Sequence, residues 1–263
     1  MRSLERRPEV VLVYSAPKTA STSVADAIER MDAFTVIKVH HLQPEFFWPG
    51  VASPLVSDRG GMRHKAIEQR TTRSLLARLP GPIRTVSLIR EPIGFNVSNF
   101  TYFGRGYWMR TCWRSAPWMP PEELYGMFER TFPHGAMDVW WRHEFAATTG
   151  LDPFGQPFDV ARGWQVLKGE RFGSLLIRTD VPDAEKTAAI RHFLGRSDVP
   201  EVARLNLNAE QAQPVLPERL RAEIRRRPDY VDRLLRLPAA MHFWDEAQRR
   251  AIRDRWLRTG PSR

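Results

Sequence analysis

Three short β-branched runs, each followed by a break and then by helical spacing, constrain this chain more than any other feature of its sequence. Val10–Tyr14 precedes a polar loop and a helix expected over Ser21–Met31, in which Val24, Ala27, Ile28 and Met31 recur at helical intervals. Phe34–Val39 is the second run. A loop rich in Pro and Gly between Gln43 and Gly61 then leads into an amphipathic pattern over His64–Leu79, stopped by Pro80-Gly81. Ile83–Ile89 is the third run, and Glu91-Pro92 opens another helix with proline near its tolerated first position. Strand and helix alternating in this way predict an α/β fold of parallel strands joined by crossover helices. Gly173–Ile177 predicts a later return to the sheet, and the remainder reads as mainly helical, most clearly over Glu218–Arg227 and Ala239–Leu257. The 263 residues contain no internal repeat or clear linker, so 1–263 is read as a single domain.

The formal net charge of +10 favours anionic over cationic ligands, because the summed field draws in phosphates, sulfates and carboxylates. Of the 40 basic residues 35 are arginine, whose planar fork suits two-pronged grips on such oxygens. Cys112 is the sole cysteine, which excludes an intrachain disulfide and a cysteine-rich metal site and fits a reducing compartment. Val10–Tyr14 is too short for a signal-peptide core, and no stretch approaches the roughly 18 apolar residues of a membrane span. The expectation is a cytoplasmic protein without a transmembrane segment.

Between the first run and the first helix lies Ser15-Ala16-Pro17-Lys18-Thr19-Ala20-Ser21-Thr22-Ser23. Strand, polar loop and helix in this order let backbone N–H groups and a helix N-terminus cradle an anion, with Lys18 as a point charge and Ser21 and Thr22 as hydroxyl donors. It is not a Walker A loop, since Lys18 comes early and no glycine lies between Tyr14 and Ser23. The same residues would also serve a plain helix cap, through Thr19, Ser21 or Thr22, beside a solvated lysine. A second candidate anion grip follows the third run. If the helix begins near Glu91, Ser98 lies two turns on along the face of its start, where it and Arg90 could hold one phosphate. The alternative pairs Arg90 with Glu91 or Asp26.

The segment Pro17-Lys18-Thr19-Ala20-Ser21-Thr22-Ser23 resembles the donor loop of carbohydrate sulfotransferases, especially the uronyl 2-O-sulfotransferase group. Arg90 and Ser98, eight positions apart, resemble the pair with which sulfotransferases hold the 3′-phosphate of PAPS. Trp140-Trp141-Arg142-His143-Glu144 and Gly150-Leu151-Asp152-Pro153-Phe154 are similar to bacterial proteins assigned to capsular polysaccharide synthesis, and together the similarity covers most of the first 180 residues. The resemblance implies a P-loop-NTPase-like, three-layer sulfotransferase fold with a central parallel sheet and a mainly helical C-terminal part. It also implies PAPS as co-substrate, no metal, and Pro17, Lys18, Thr19, Ala20, Ser21, Thr22, Ser23, Arg90 and Ser98 as donor-binding residues. Lys18, Ser21 and Thr22 would take the sulfonate-bearing end. Arg204–Asn208 is a looser candidate for a late nucleotide-contacting loop.

Sulfonate transfer needs a base for the acceptor hydroxyl and a cation for the charge growing on the leaving oxygen. Lys18 is the candidate cation. Lys38-Val39-His40-His41 ends the second strand, where sheet ligands sit, and resembles the Lys-x-His element of cytosolic sulfotransferases. Period-two alternation places Lys38 and His40 on one side and favours His40 as base, with His41 as the alternative. Glu45, His64, His143 and Glu144 are reserve bases. Between Tyr102 and Pro120, Arg105, Arg110 and Arg114 interleave with Tyr107, Trp108, Trp113 and Trp118, a mixture suited to an anionic or neutral carbohydrate acceptor, with Arg105, Trp108 and Arg110 the named contacts. Arg219–Arg227 either extends that basic track or is a solvated face. Two enzymatic and binding alternatives stand beside this reading: a P-loop kinase or NTPase, and a non-catalytic nucleotide- or nucleic-acid-binding protein. The nucleic-acid reading rests on charge alone, because no zinc finger, RNA-recognition signature or clear helix-turn-helix appears, and the nucleotide reading is that of a degenerate member which binds without turnover.

Overall fold

The computed structural model describes residues 9–43, 59–104, 109, 112, 114–203 and 215–258, and for 59–65 the backbone alone. Five strands make one sheet: β1 (Glu9–Tyr14), β2 (Phe34–Val39), β3 (Ile83–Ile89), β4 (Trp164–Lys168) and β5 (Phe172–Arg178), in the spatial order β2-β1-β3-β5-β4. β1, β2, β3 and β5 run parallel to one another, whereas β4 pairs with β5 antiparallel, Trp164 opposite Ile177 and Lys168 opposite Gly173. The expectation of a parallel sheet is corrected at this edge. Only Gly169, Glu170 and Arg171 separate the two strands, too few for a crossover, and the turn closes with Gly169 N–H donating to Phe172 O at 2.9 Å.

Helices cover both faces. Val11, Val13, Val86, Leu88, Leu175 and Ile177 point toward α1 (Ser21–Glu29) and α7 (Asp183–Leu194), meeting Val24, Ile28, Ala189 and Ile190. Leu12, Tyr14, Ile83, Ile89 and Leu176 point the other way, into a larger core that also takes Leu76 of α2 (Arg59–Arg78) and Phe95 and Phe100 of α3 (Pro92–Phe103). The same core takes Leu124 and Phe128 of α4 (Pro121–Thr131). This double coverage explains why Val11–Tyr14 is an unbroken apolar run rather than an alternating one, since a central strand has no wet face. Burying each such side chain contributes roughly 1.5–3 kcal/mol, and β-branched residues suit the pleat.

After α4 the chain forms α5 (Ala136–Val139), a π-helical stretch (Trp140–Ala146) and α6 (Ala147–Thr149). The C-terminal part is helical: α8 (Val215–Ile224), α9 (Pro228–Leu234), α10 (Pro238–Phe243) and α11 (Glu246–Leu257). The single helix expected over Ala239–Leu257 is two. Trp244 is extended, and Asp245 caps α11 in a capping box, its side chain accepting from Gln248 N–H while Gln248 accepts from Asp245 N–H. The helix expected over Glu218–Arg227 likewise ends at Ile224, ahead of Pro228, which opens α9.

Candidate functional site

The chain passes from β1 to β2 on one side and then crosses to β3 on the other, so the sheet's direction of winding reverses between β1 and β3. In such sheets ligands bind outside the carboxyl ends of the strands at this switch point. Here the two strands part early. Their ladder pairs Val11 with Arg84, Leu12 with Thr85 and Val13 with Val86. Beyond it two buried serines take over: Ser87 Oγ donates to Tyr14 O, and Ser15 Oγ accepts Leu88 N–H at 2.8 Å.

The Pro17–Ser23 loop leaves from this point. Lys18 (φ 65°) and Ala20 (φ 61°) both adopt the left-handed conformation. For residues with a Cβ that costs roughly 1–2 kcal/mol each, and non-glycine outliers of this kind gather at binding sites. Ala20 is the N-cap of α1 and has no side chain to cap it, so the expected alternative of a Thr or Ser cap does not hold. In the first turn Ser23 N–H donates back to Ala20 O at 3.2 Å, and helix geometry offers the amides ahead of it no acceptor within the helix. Thr19 Oγ1 is turned inward to Ala16 O at 2.7 Å, and Lys38 Nζ donates to Thr22 Oγ1 at 3.1 Å.

Helix α3 holds the loop from the other side. Arg90, just past β3, donates through Nη1 to Lys18 O at 2.7 Å, and Asn99 Nδ2 donates to Pro17 O at 3.3 Å. Lys18 Nζ sits 3.8 Å from the centre of the Tyr102 ring, a cation–π contact. Gly94, Ser98 and Tyr102, four residues apart, share the face of α3 that carries these contacts. Buried Ser98 therefore lies one turn from each end of the Arg90–Lys18 cluster. Gly94 leaves room there for the capping carboxylate, because a Cβ would collide with Glu91 Oε1 unless that side chain moved. Glu91 is the N-cap of α3, accepting from Ile93 and Gly94 N–H at 2.8 and 2.9 Å and from Trp256 Nε1 at 3.1 Å. Asp26, the other partner considered for Arg90, pairs with Arg30 at 2.6 Å instead.

Removal from water, and then the like charge of Arg90, lower the Lys18 ammonium pKa to about 8. Arg90 is itself pushed below its ordinary value by burial, with Glu91 opposing the shift. Two desolvated cations held together by a carbonyl and a ring make a cluster that an anion would relieve.

At the end of β2, His40 Nδ1 lies 2.6 Å from Ser15 O. A carbonyl can only accept, so Nδ1 carries the proton and the lone pair of the neutral ring resides on Nε2. His41 lies beside Glu144, with Nδ1 4.0 Å from Oε2. The reserve bases separate: His143 is exposed, Glu144 is completely buried, and Glu45 and the His64 side chain lie outside the described residues. Glu144 accepts from Tyr14 Oη, Leu42 N–H and Gln43 N–H, and Trp140 Nε1 donates to His40 O at 2.8 Å. Burial raises the Glu144 pKa, and its hydrogen bonds oppose that shift.

The loop residues Pro17, Lys18 and Thr22, together with Arg90, Lys38 and His40, are thus brought to one edge of the sheet. Asn99 and Tyr102 join them without having been singled out as contacts by sequence. Arg105, Tyr107, Trp108, Arg110, Trp113 and Arg204–Asn208 lie outside the described residues. Trp118 is 80% exposed. Along Arg219–Arg227, Arg226 is exposed, and the charge of Arg221 adds to burial in lowering the Arg90 pKa. Arg219 donates to Pro117 O and Met119 O, Arg221 pairs with Glu218, and Arg226 and Arg227 flank buried Glu223. A cavity of about 460 Å³ lined by Met119, Glu122, Glu123, Gly126, Met127 and Arg130 shares no residue with the cluster. No described helix is long and apolar enough to cross a membrane, and no group of His, Cys, Asp and Glu among the described residues could hold a metal ion. No family model, no curated protein and no solved structure matches this chain.

Proposed function

We propose that this chain is a sulfotransferase that moves the sulfonate of PAPS to a hydroxyl of a carbohydrate-type acceptor, in capsular or other surface polysaccharide synthesis. The observation that carries the reading is the direct contact between the two anchoring elements, Arg90 at the end of β3 and the Pro17–Ser23 loop after β1. A bisphosphorylated adenosine carries its two phosphate groups on one ribose and so needs two anion grips close together at the ends of neighbouring strands. The loop with the α1 N-terminus supplies one, and Arg90 with Ser98 supplies the other. The resemblance of both elements to sulfotransferase signatures selects PAPS over other nucleotides.

In the proposed reaction the acceptor oxygen forms a bond to sulfur as the bond from sulfur to the bridging phosphate oxygen breaks, and the electron pair leaves on the phosphate. His40 Nε2 takes the acceptor's proton, the tautomer held by Ser15 O leaving that nitrogen basic. Lys18, with the first-turn N–H groups of α1, meets the charge that develops on the leaving oxygen. A kinase-like chemistry would use the same strand-loop-helix start but a different nucleotide. Retention on immobilised adenosine 3′,5′-bisphosphate but not on ATP, followed by label transfer from radiolabelled PAPS to a panel of polysaccharides, glycolipids and small alcohols, tests the proposal. Retention on ATP alone would overturn it.

A further inference from the structure

The π-helical stretch Trp140–Ala146 reaches across to the end of β2 at two points. Trp140 Nε1 donates to the carbonyl of His40 at 2.8 Å. Four residues on, Glu144 Oε1 accepts the N–H groups of Leu42 and Gln43, the latter at 3.0 Å, and also Tyr14 Oη. The dipeptide His40-His41 is therefore gripped at its central peptide through the His40 carbonyl and on its C-terminal side through two amides, by two side chains that share one face of one helical stretch. Both side chains are completely buried, as is Tyr14, which ties the same carboxylate to the end of β1. An ionisable carboxylate held without water is costly unless it is well hydrogen-bonded, and a packing role alone would be met by an apolar residue. π-turns are rare and recur at functional sites.

We infer that Glu144, together with Trp140, is a positioning residue that fixes the His40-His41 backbone so that His40 keeps Nδ1 on Ser15 O and presents Nε2 as the basic nitrogen. The inference rests on the proposed function for its catalytic meaning, but the placement of the histidines can be measured without it. Glu144 acts through its oxygen rather than its charge: Oε1 makes the contacts to Tyr14, Leu42 and Gln43. Glu144→Gln preserves that acceptor, whereas Glu144→Ala removes it, and Trp140→Phe removes the grip on His40 O while keeping an aromatic ring.

The test is imidazole nitrogen NMR of the full chain, which reads the tautomer of each histidine, with adenosine 3′,5′-bisphosphate affinity and PAPS-dependent kcat and KM measured alongside. The native protein and Glu144→Gln should show His40 protonated on Nδ1, and Trp140→Phe and Glu144→Ala should shift it toward the Nε2-protonated form that predominates in free histidine. In the two disrupted variants kcat should fall about 10- to 100-fold with KM for PAPS and bisphosphate affinity changed less than about threefold. An unchanged His40 tautomer in Trp140→Phe, which leaves the buried carboxylate in place, would overturn the inference. So would a Glu144→Gln variant as impaired as Glu144→Ala. A native protein that fails to bind the bisphosphate would instead remove the sulfotransfer reading, and the tautomer measurement would still decide the positioning role.

Discussion

Lys18 should make the grip on a bisphosphorylated nucleotide titrate near neutral pH. Its ammonium pKa is held at about 8, so about nine-tenths of the free protein is charged at pH 7 and about one-tenth at pH 9. A bound phosphate stabilises the ammonium and returns its pKa toward the ordinary value, so the charged form is the one that binds. Affinity for adenosine 3′,5′-bisphosphate should then fall about tenfold from pH 7 to pH 9, or about 1.4 kcal/mol. The ligand does not contribute to this slope, because the second phosphate ionisation lies near pH 6. Isothermal titration calorimetry at pH 7, 8 and 9 and constant ionic strength measures the slope, and buffers of different ionisation enthalpy report the proton taken up on binding. Lys18→Arg should bind with little pH dependence over this range, and Lys18→Ala should bind weakly at every pH. A native affinity that does not change with pH, or an arginine variant that weakens as steeply as the native protein, would refute the assignment.

The same depressed pKa has a consequence for stability. Between the folded value of about 8 and the ordinary 10.5 the unfolded chain holds more protons, so this group makes the protein more stable as pH rises through that window, and at pH 7 its charge is a net cost. Lys18→Met should raise the melting temperature at pH 7 by about 2–6 °C while weakening bisphosphate binding, and a lower melting temperature would contradict it. Gly94→Ala should push the Glu91 carboxylate off the N-terminus of α3, lowering stability by about 1–2 kcal/mol, and a melting temperature within about a degree of native would show the cap can move freely. Ala20→Gly should stabilise by about 1 kcal/mol by relieving its left-handed backbone, to be read from denaturant midpoints; a destabilised variant would count against strain at this position. His40→Ala should lower kcat on the order of 10²-fold, and if His41→Ala carries that loss instead, the two histidines exchange roles.

Those parts of the molecule that depend on short-range chemistry are legible in the sequence. The bounds of β2 and β3 follow from their β-branched runs, and the start of α3 follows from Glu91-Pro92, a cap and a proline at the first helical position. The antiparallel β4 is not legible in this way. Trp164-Gln165-Val166-Leu167-Lys168 is a half-buried edge strand with a mixed pattern, recognisable only from its short turn to β5. The break between α10 and α11 has a local signal, Asp245 three residues before Gln248, but the apolar spacing on either side runs through it. Within the site, Tyr102 is foreshadowed by its spacing of four from Ser98. Glu144 stands among the reserve bases, but its burial is not legible, because adjacency to exposed His143 says nothing about which of the two faces inward, and a π-turn has no pattern of its own in the residues.

The two serines that bridge β1 and β3 carry a consequence for how this fold can be tuned. Where main-chain pairing ends, the gap between the ribbons is set by a pair of hydroxyl groups, Ser15 and Ser87, rather than by the repeating geometry of a sheet. The separation of the two strand ends is therefore encoded in two small side chains. Alanine at either would unlatch the ends and a bulkier residue would wedge them wider, altering the space above the strands while leaving the rest of the scaffold in register.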